Sequence, residues 1–409
     1  YRANAPWLLA AAFMSFGSSF GQTFFIALFA GGIREEFGLS DGDWGTLYTV
    51  ATVGSALILM QVGRLADVMA LRPLLLGVCL VYASALVLMS LAPSVFWLGI
   101  GVLGLRLCGQ GMMSHLAVTA TARWFRANRG KALAITVLGF PAGEAVLPAI
   151  AVLAIGAFGW RMGWLVAAGA LVFLVVPIIL LLLARGSRVP QGEGPAETAT
   201  GMDGRHWTRG QTLRHWSFWA LMPGILAPSF IGTVAFFHQV HVAEVRNWDL
   251  VTMAAGYPLY AALSVATSLA TGWVIDRTGP VRLLPAYLVP LGIAIAMLTL
   301  DGGEWVWLLV LLGIGVSQGC VFTIHGALWP TLYGTAHLGS VKAMMSAVLV
   351  VSTAIGPGVT GLLIDAGYPL PEQAPAMTLW CLAASALFVV VAPRLAARLP
   401  SSGSRTAPA

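Results

Sequence analysis

Long apolar runs separated by short polar links dominate the chain. The runs fall near 7–30, 44–63, 73–92, 95–118, 131–157 and 162–184, then near 216–242, 250–273, 283–300, 305–329, 341–364 and 375–393. Each has roughly the 20 residues that an α-helix needs to cross a hydrocarbon core about 30 Å thick. The pattern predicts an all-α integral membrane protein with twelve transmembrane helices. Spans 4 and 5 run into basic links, so their ends are the least defined by pattern. The first run, Trp7 to Ala30, is longer than the apolar region of a signal peptide and is expected to be the first span rather than a cleaved leader. The longest polar stretch, 185–215, contains VPQGEGPAETATG. It has little to bury and is expected to be a flexible linker. It divides the chain into a six-helix bundle over 1–184 and another over 216–397, with a cytoplasmic tail over 398–409.

Composition agrees with this reading. Hydrophobic residues make up 58% of the chain and charged residues 9%, against about 25% charged in soluble domains. Fifteen Trp suit the membrane–water interface. The net charge of +6 does not point to nucleic acid, because the basic residues cluster in short links rather than on one polar face. Those clusters instead set orientation. With both termini inside, the cytoplasmic segments take all of the 22 Lys and Arg residues except Arg34, Arg106, Arg161 and Arg246. The opposite loops carry Glu35, Glu36, Asp41, Asp43, Asp301 and Glu304. Such asymmetry is the positive-inside signature. Cys79, Cys108, Cys320 and Cys381 lie in apolar runs without paired spacing, so neither a disulfide framework nor a metal site is expected. No phosphate-binding loop, HExxH or GxSxG occurs, so no enzyme chemistry and no cofactor are expected.

The two halves echo each other. GRLADVMALRPLL (63–75) follows span 2 and GWVIDRTGPVRLL (272–284) follows span 8, aligning Gly63 with Gly272 and Asp67 with Asp276. GQG at 109–111 and SQG at 317–319 stand at nearly the same offset in spans 4 and 10. A Gly, four residues, an Asp and then basic residues, repeated in this way, resembles the major facilitator superfamily, a fold of two pseudo-symmetric six-helix bundles. The second copy has Asp276, Arg277, Gly279 and Arg282. The first departs from the pattern, with Val68 where a basic residue is usual and Ala70 where Gly is usual, and keeps Arg72. The resemblance implies a gating role for Gly63, Asp67, Arg72, Gly272, Asp276 and Arg277. A simple loop-capping Asp67 is the structural alternative.

The segment RWFRANRGKALAITVLGFPAGEAVLPAI, followed by GWRMGW, is similar to the monocarboxylate and oxalate–formate porter branch of that superfamily. That branch implies small organic anions moved with protons. Its usual cation in span 8 is missing here, so a carboxylate site would be built differently.

Charged residues inside a membrane are costly and mark functional sites. Arg106 in span 4 and Glu144 in span 5 are the two deep ones. RLCGQG resembles the span-4 arginine motif of the superfamily, with the Gln displaced by one position. A buried arginine needs a partner, and two readings of an Arg106–Glu144 pair stay open. In one, protonation of Glu144 frees Arg106 to hold an anion; in the other, the pair is permanent and structural. The superfamily resemblance places spans 1, 4, 7 and 10 around the central cavity. Each of them carries one Gln: Gln22, Gln110, Gln239 and Gln318. Ser15, Ser18, Ser19 and Gln22 fall on one helical stripe, as do Gln318, Phe322, His325 and Trp329. With His238 at the outer end of span 7 and Tyr260 in span 8, these residues are the candidate substrate contacts. Interhelical hydrogen bonding is the alternative for the glutamines, packing for Tyr260, and a place in a gate for His238.

The reading that gathers most of these features is a secondary transporter working by alternating access, in which protons are coupled to a small organic anion such as a monocarboxylate. Its partners would be that solute, protons and the lipid bilayer. It would be a monomer, multi-pass in a bacterial inner membrane. Proton-antiport efflux of a drug or metabolite, and a non-transporting receptor on the same fold, stay open.

Overall fold

The computed structural model describes residues 4–125, 129–185 and 199–400. Arg2, Arg126, Arg188, Arg405, residues 186–198 of the 185–215 linker and residues 401–409 of the tail lie outside the described residues. Those described form helices and turns, with no strand among them. Nine helices among them are long and apolar enough to cross a membrane, and a bent pair makes ten.

The bent pair is α1 (residues 5–37), in which Ala5–Gly21 and Thr23–Phe37 meet at 42°. Next come α2 (Asp41–Val68), α3 (Leu71–Leu91) and α4 (Val95–Trp124). The run Arg129–Ala184 is 56 residues long, well over twice what one crossing requires. It breaks at Gly159, whose φ of 81° and ψ of 163° suit glycine alone. The break gives α5 (129–158) and α6 (160–184). Then follow α7 (216–246, interrupted at His238), α8 (Leu250–Thr278) and the short α9 (Val289–Thr299). The chain closes with α10 (Trp305–Tyr333), α11 (Leu338–Asp365) and α12 (Leu370–Ala396). The twelve apolar runs thus each hold a helix, and the fold is the expected all-α membrane architecture. The ninth departs most from expectation: 284–288 are turns, and regular helix begins only at Val289, one residue before Pro290.

The chain forms two compact units. The first comprises Tyr1–Pro195, Thr233–Ala261 and Ala354–Leu370; the second comprises Ala196–Gly232, Ala262–Thr353 and Pro371–Ala409. Within the first, α1 packs against α4, α5 and α6, and α6 lies along α3. Small residues permit these approaches. A Cβ on Gly21 would stand 2.1 Å from the Leu105 carbonyl oxygen and 2.9 Å from Gly109 Cα. Aromatic packing fills the space nearby, with Phe29 stacked on Trp164 at 4.0 Å between ring centres. Arg161, just past the Gly159 break, ties this end together. It bonds Glu36 on α1 at 2.6 Å and the Ala92 carbonyl at 3.0 Å, while Trp160 donates to Glu36 at 2.9 Å.

Within the second unit, α9 packs along α10. Proline leaves the carbonyl four residues earlier without a helical donor. Pro228 does this to Gly224, whose oxygen accepts instead from Tyr287 Oη at 2.6 Å. Residues 199–215, expected to be part of an unpacked linker, are built into this unit. Met202 and Trp207 are buried, Trp207 donates from its backbone to the Tyr333 carbonyl, and Asp203 donates to the Arg398 carbonyl. The expectation failed because two apolar side chains in a polar stretch are enough to anchor it. Elsewhere, Val50, Leu80, Phe173, Leu269 and Leu379 are largely exposed, as lipid-facing side chains must be.

Candidate functional site

Arg106 opens a π-helical stretch, Arg106–Met113, in the middle of α4. Such widened turns recur at functional sites. The stretch alters the geometry expected for Arg106 and Gln110, which assumed a regular α-helix. Arg106 is 2% exposed. Its Nη1 reaches the Gly21 carbonyl at 3.3 Å and Thr23 Oγ1 at 3.4 Å, both long contacts. Its Cζ stands 5.1 Å from the centre of the Tyr48 ring. Thr23 and Tyr48 are themselves linked at 2.6 Å. The Gly21 carbonyl is available because α1 breaks there: Ser18–Gly21 is a 3-10 turn and Gln22 is extended, at φ −87° and ψ 156°. The expected stripe Ser15, Ser18, Ser19, Gln22 is therefore interrupted, and Ser18 turns its hydroxyl back to the Ser15 carbonyl at 2.6 Å. Arg106 Nε is buried without a hydrogen-bond partner. This guanidinium thus has donor capacity that the protein does not use.

Glu144 is 3% exposed and accepts from Tyr260 Oη at 3.0 Å. The structure does not bring Arg106 and Glu144 together as a pair; each has the other partners just described. Pro148 leaves the Glu144 carbonyl without a helical donor, and Gly143 lets Ser19 approach. Close by, Tyr257 donates to Gln239 Oε1 at 2.7 Å, and Gln239 Nε2 donates to the Phe24 carbonyl at 3.1 Å. Phe236 packs against both tyrosine rings, with centres 5.8 and 5.5 Å away. Glu144–Tyr260 and Tyr257–Gln239 are thus two hydrogen-bonded pairs in the first unit, joined through the packed rings of Phe236, Tyr257 and Tyr260.

His238 stands apart from these groups, in a cluster with Asp41 and Thr360. Gln22 and Gln110 are half-buried in the first unit. Gln318 and His325 belong to the second unit and are half-buried there; His325 Nε2 is buried without a partner, between Tyr287 and Trp329. Their shared stripe is mixed, because Phe322 is 57% exposed and Trp329 is buried.

The two copies of the repeated motif differ in structure. In the first, Gly63 closes the main helix of α2 and Asp67 forms an ion pair with Arg123 of α4. Arg123 also donates to the Ala66 carbonyl at 2.6 Å. Arg72 caps the end of α6 through the Leu183 carbonyl. In the second copy, Gly272 lies within continuous helix, Asp276 is exposed, and Arg277 stacks 3.4 Å over the Trp273 ring. Val68 in place of a basic residue leaves Arg123 as the cation for Asp67.

Pattern reading passed over Thr23, Tyr48 and Tyr82, which surround Arg106, and counted Asp41 as an ordinary loop acid. Tyrosines within otherwise apolar runs were the available signal. No group of three or more His, Cys, Asp or Glu side chains able to hold a metal occurs among the described residues.

A bundle of membrane-spanning helices with unspent buried donors and an internal repeat defines a polytopic carrier class. Residues 11–357 match the family described as the Major Facilitator Superfamily, and the chain belongs to it. It is accordingly a transporter, not an enzyme. Among solved structures it is similar to a bacterial homologue of the human lysosomal transporter Spinster. In the inward-facing, unoccupied form of that protein the TM-score is 0.73 at 16% identity, covering 97% of this chain and 98% of that one. In the occupied form the TM-score is 0.67, again at 16% identity, over 97% of both chains. A point mutant of the nucleoside transporter NupG gives a TM-score of 0.64 at 12% identity, over 96% of this chain and 99% of that one. At these identities the likeness is one of fold. No curated protein matches the chain.

Proposed function

We propose that this transporter couples protons to the movement of a small organic anion, such as a monocarboxylate, by alternating access. The observation that carries the reading is Arg106: a guanidinium 2% exposed, with two long contacts to neutral oxygens and a buried Nε without a partner. A buried cation left this way is stabilised by an anion that enters, and a guanidinium grips a carboxylate through two parallel bonds. Glu144 is the proton carrier in this reading. A buried charged carboxylate is costly without a cation, and Tyr260 supplies a neutral donor rather than a charge. Gln22, Gln110, Gln239, Gln318 and His325 contribute polar contacts to the solute as it passes. Gly63, Asp67, Arg72, Gly272, Asp276 and Arg277 belong to the gating machinery. The protein works as a monomer, multi-pass in a bacterial inner membrane with both termini cytoplasmic. Two six-helix bundles, 1–184 and 216–397, are joined by the 185–215 segment, whose part 199–215 packs into the second unit, and are followed by the 398–409 tail.

Uptake into proteoliposomes tests this directly, using labelled small carboxylates alongside a labelled nucleoside and a lipophilic cation. An inward proton gradient should stimulate carboxylate uptake, and Arg106→Gln should abolish it. Transport of the nucleoside or the cation alone would contradict the anion assignment.

A further inference from the structure

The end of the first unit that holds the link between α1 and α2 carries a second cluster of ionisable groups, separate from Arg106 and Glu144. His238 sits at the break in α7 and is 2% exposed. Its two ring nitrogens face different partners. Nε2 lies 3.2 Å from the Pro357 carbonyl oxygen and 2.9 Å from Thr360 Oγ1, both on α11. A carbonyl can only accept, so Nε2 carries a hydrogen. Thr360 donates its own hydroxyl to the Gly356 carbonyl at 2.8 Å, which leaves its oxygen to accept from the ring. Nδ1 lies 3.8 Å from Asp41 Oδ1. A neutral ring with its hydrogen on Nε2 would turn a lone pair toward that carboxylate. A ring protonated on both nitrogens turns an N–H toward it.

Asp41 is the carboxylate that an N–H on Nδ1 would meet. Asp41 also accepts from Arg34 Nη1 at 2.8 Å and stands 3.2 Å from His241 Nδ1. Arg34 bonds Glu244 on α7 at 2.6 Å. Asp43 accepts from the Ser40 backbone, and Asp365 of α11 accepts from Ser40 Oγ and the Gly42 backbone. Asp41 and Glu244 thus share the guanidinium of Arg34, Asp41 alone faces both histidines, and Asp43 and Asp365 hold the neighbouring Ser40 and Gly42.

We propose that His238 is a proton-binding site of this closure: the bound proton fastens α7 and α11 to the α1–α2 link, and its loss releases them. The fastened state holds one proton more than the released state. Acid therefore favours closure, with a ceiling of about tenfold per pH unit for a single proton.

The test uses the full chain in lipid nanodiscs, with Cys79, Cys108, Cys320 and Cys381 replaced. Spin labels are placed at Glu35→Cys and Ala366→Cys, both exposed positions of this unit. Distances between the labels are measured at about pH 5.5 and about pH 8, which bracket histidine titration. The ratio of short to long distances should be at least about threefold higher at the lower pH. His238→Gln, whose amide still donates toward Pro357 but cannot take up a proton, should give one ratio at both pH values. The same comparison in a Glu144→Gln background, which removes the coupling proton proposed for that group, separates this site from it. Asp41→Asn should lose the response while His241→Gln keeps it, and the pair decides the matter if His238→Gln does not fold. A flat response in the unsubstituted chain, or a full response in either His238→Gln or Asp41→Asn, overturns the proposal.

Discussion

At the scale of single residues, the account turns on two ionisable side chains and the neutral groups around them. Tyr260 donates to Glu144 at 3.0 Å, and such a donor stabilises the ionised carboxylate more than the acid. Tyr260→Phe keeps the ring against Phe236 and removes only the donor. The pH midpoint of transport should then move upward by about one unit, since a hydrogen bond to a charged group contributes about 1.5–3 kcal/mol at most. A transport pH profile of the purified variant checks this; an unmoved midpoint would mean that Glu144 is not the titrating group. Arg106 and Glu144 were legible in the sequence because an ionisable residue inside an apolar run stands out against the cost of burying it. Their separate partners were not legible. Pairing was inferred from the need of each for a counter-charge, whereas the structure gives Arg106 a carbonyl, a hydroxyl and a tyrosine face, and gives Glu144 a phenol. Uncharged partners of that kind carry no charge signal in a sequence. The Asp41–His238 cluster was missed for a different reason: its members are about two hundred positions apart in the chain and only the fold collects them.

At the scale of elements, departures from regular helix position the site. The extended residue Gln22 ends the 3-10 turn of α1 and leaves the Gly21 carbonyl for Arg106, while the π-helical stretch of α4 sets where that guanidinium points. Apolar runs predict where spans lie, because length and hydrophobicity decide insertion, but a uniformly apolar pattern holds no record of where a helix bends or widens. The Gly21–Gly109 crossing is expected to be intolerant of side chains. Gly21→Ala would press a methyl against the Leu105 carbonyl and cost about 1–3 kcal/mol, visible as a lower unfolding temperature in detergent. An unchanged temperature would show that the crossing is looser than drawn here. The docked segment 199–215 supplies a pH test. Burial, together with the charge of Arg398, holds the His215 ring below its ordinary value. Arg398 Nη1 donates to His215 Nε2 at 2.7 Å, an arrangement that needs a neutral ring. The undocked ring titrates near the ordinary value of about 6.5 and so binds more protons than the docked one; docking is stable above that pH and weakens as pH falls below it. Hydrogen exchange over 199–215, corrected for intrinsic rates, should accelerate between about pH 7.5 and about pH 5.5, and His215→Gln should remove that change. Equal protection at both pH values would contradict the argument.

At the scale of the whole molecule, the repeat and the apolar pattern made the architecture legible, since a duplicated six-span unit leaves its offset in the sequence. The substrate is less legible, because one guanidinium fits many anions. What the account claims is a division of labour: Arg106 holds the solute, and Glu144 carries the proton that drives its accumulation. Solute counterflow and gradient-driven accumulation, measured side by side in the same proteoliposomes, separate the two roles. Counterflow exchanges labelled for unlabelled solute and needs no net proton movement. Glu144→Gln should therefore keep counterflow and lose accumulation, whereas Arg106→Gln should lose both. Accumulation that survives Glu144→Gln, or counterflow that survives Arg106→Gln, would contradict the account.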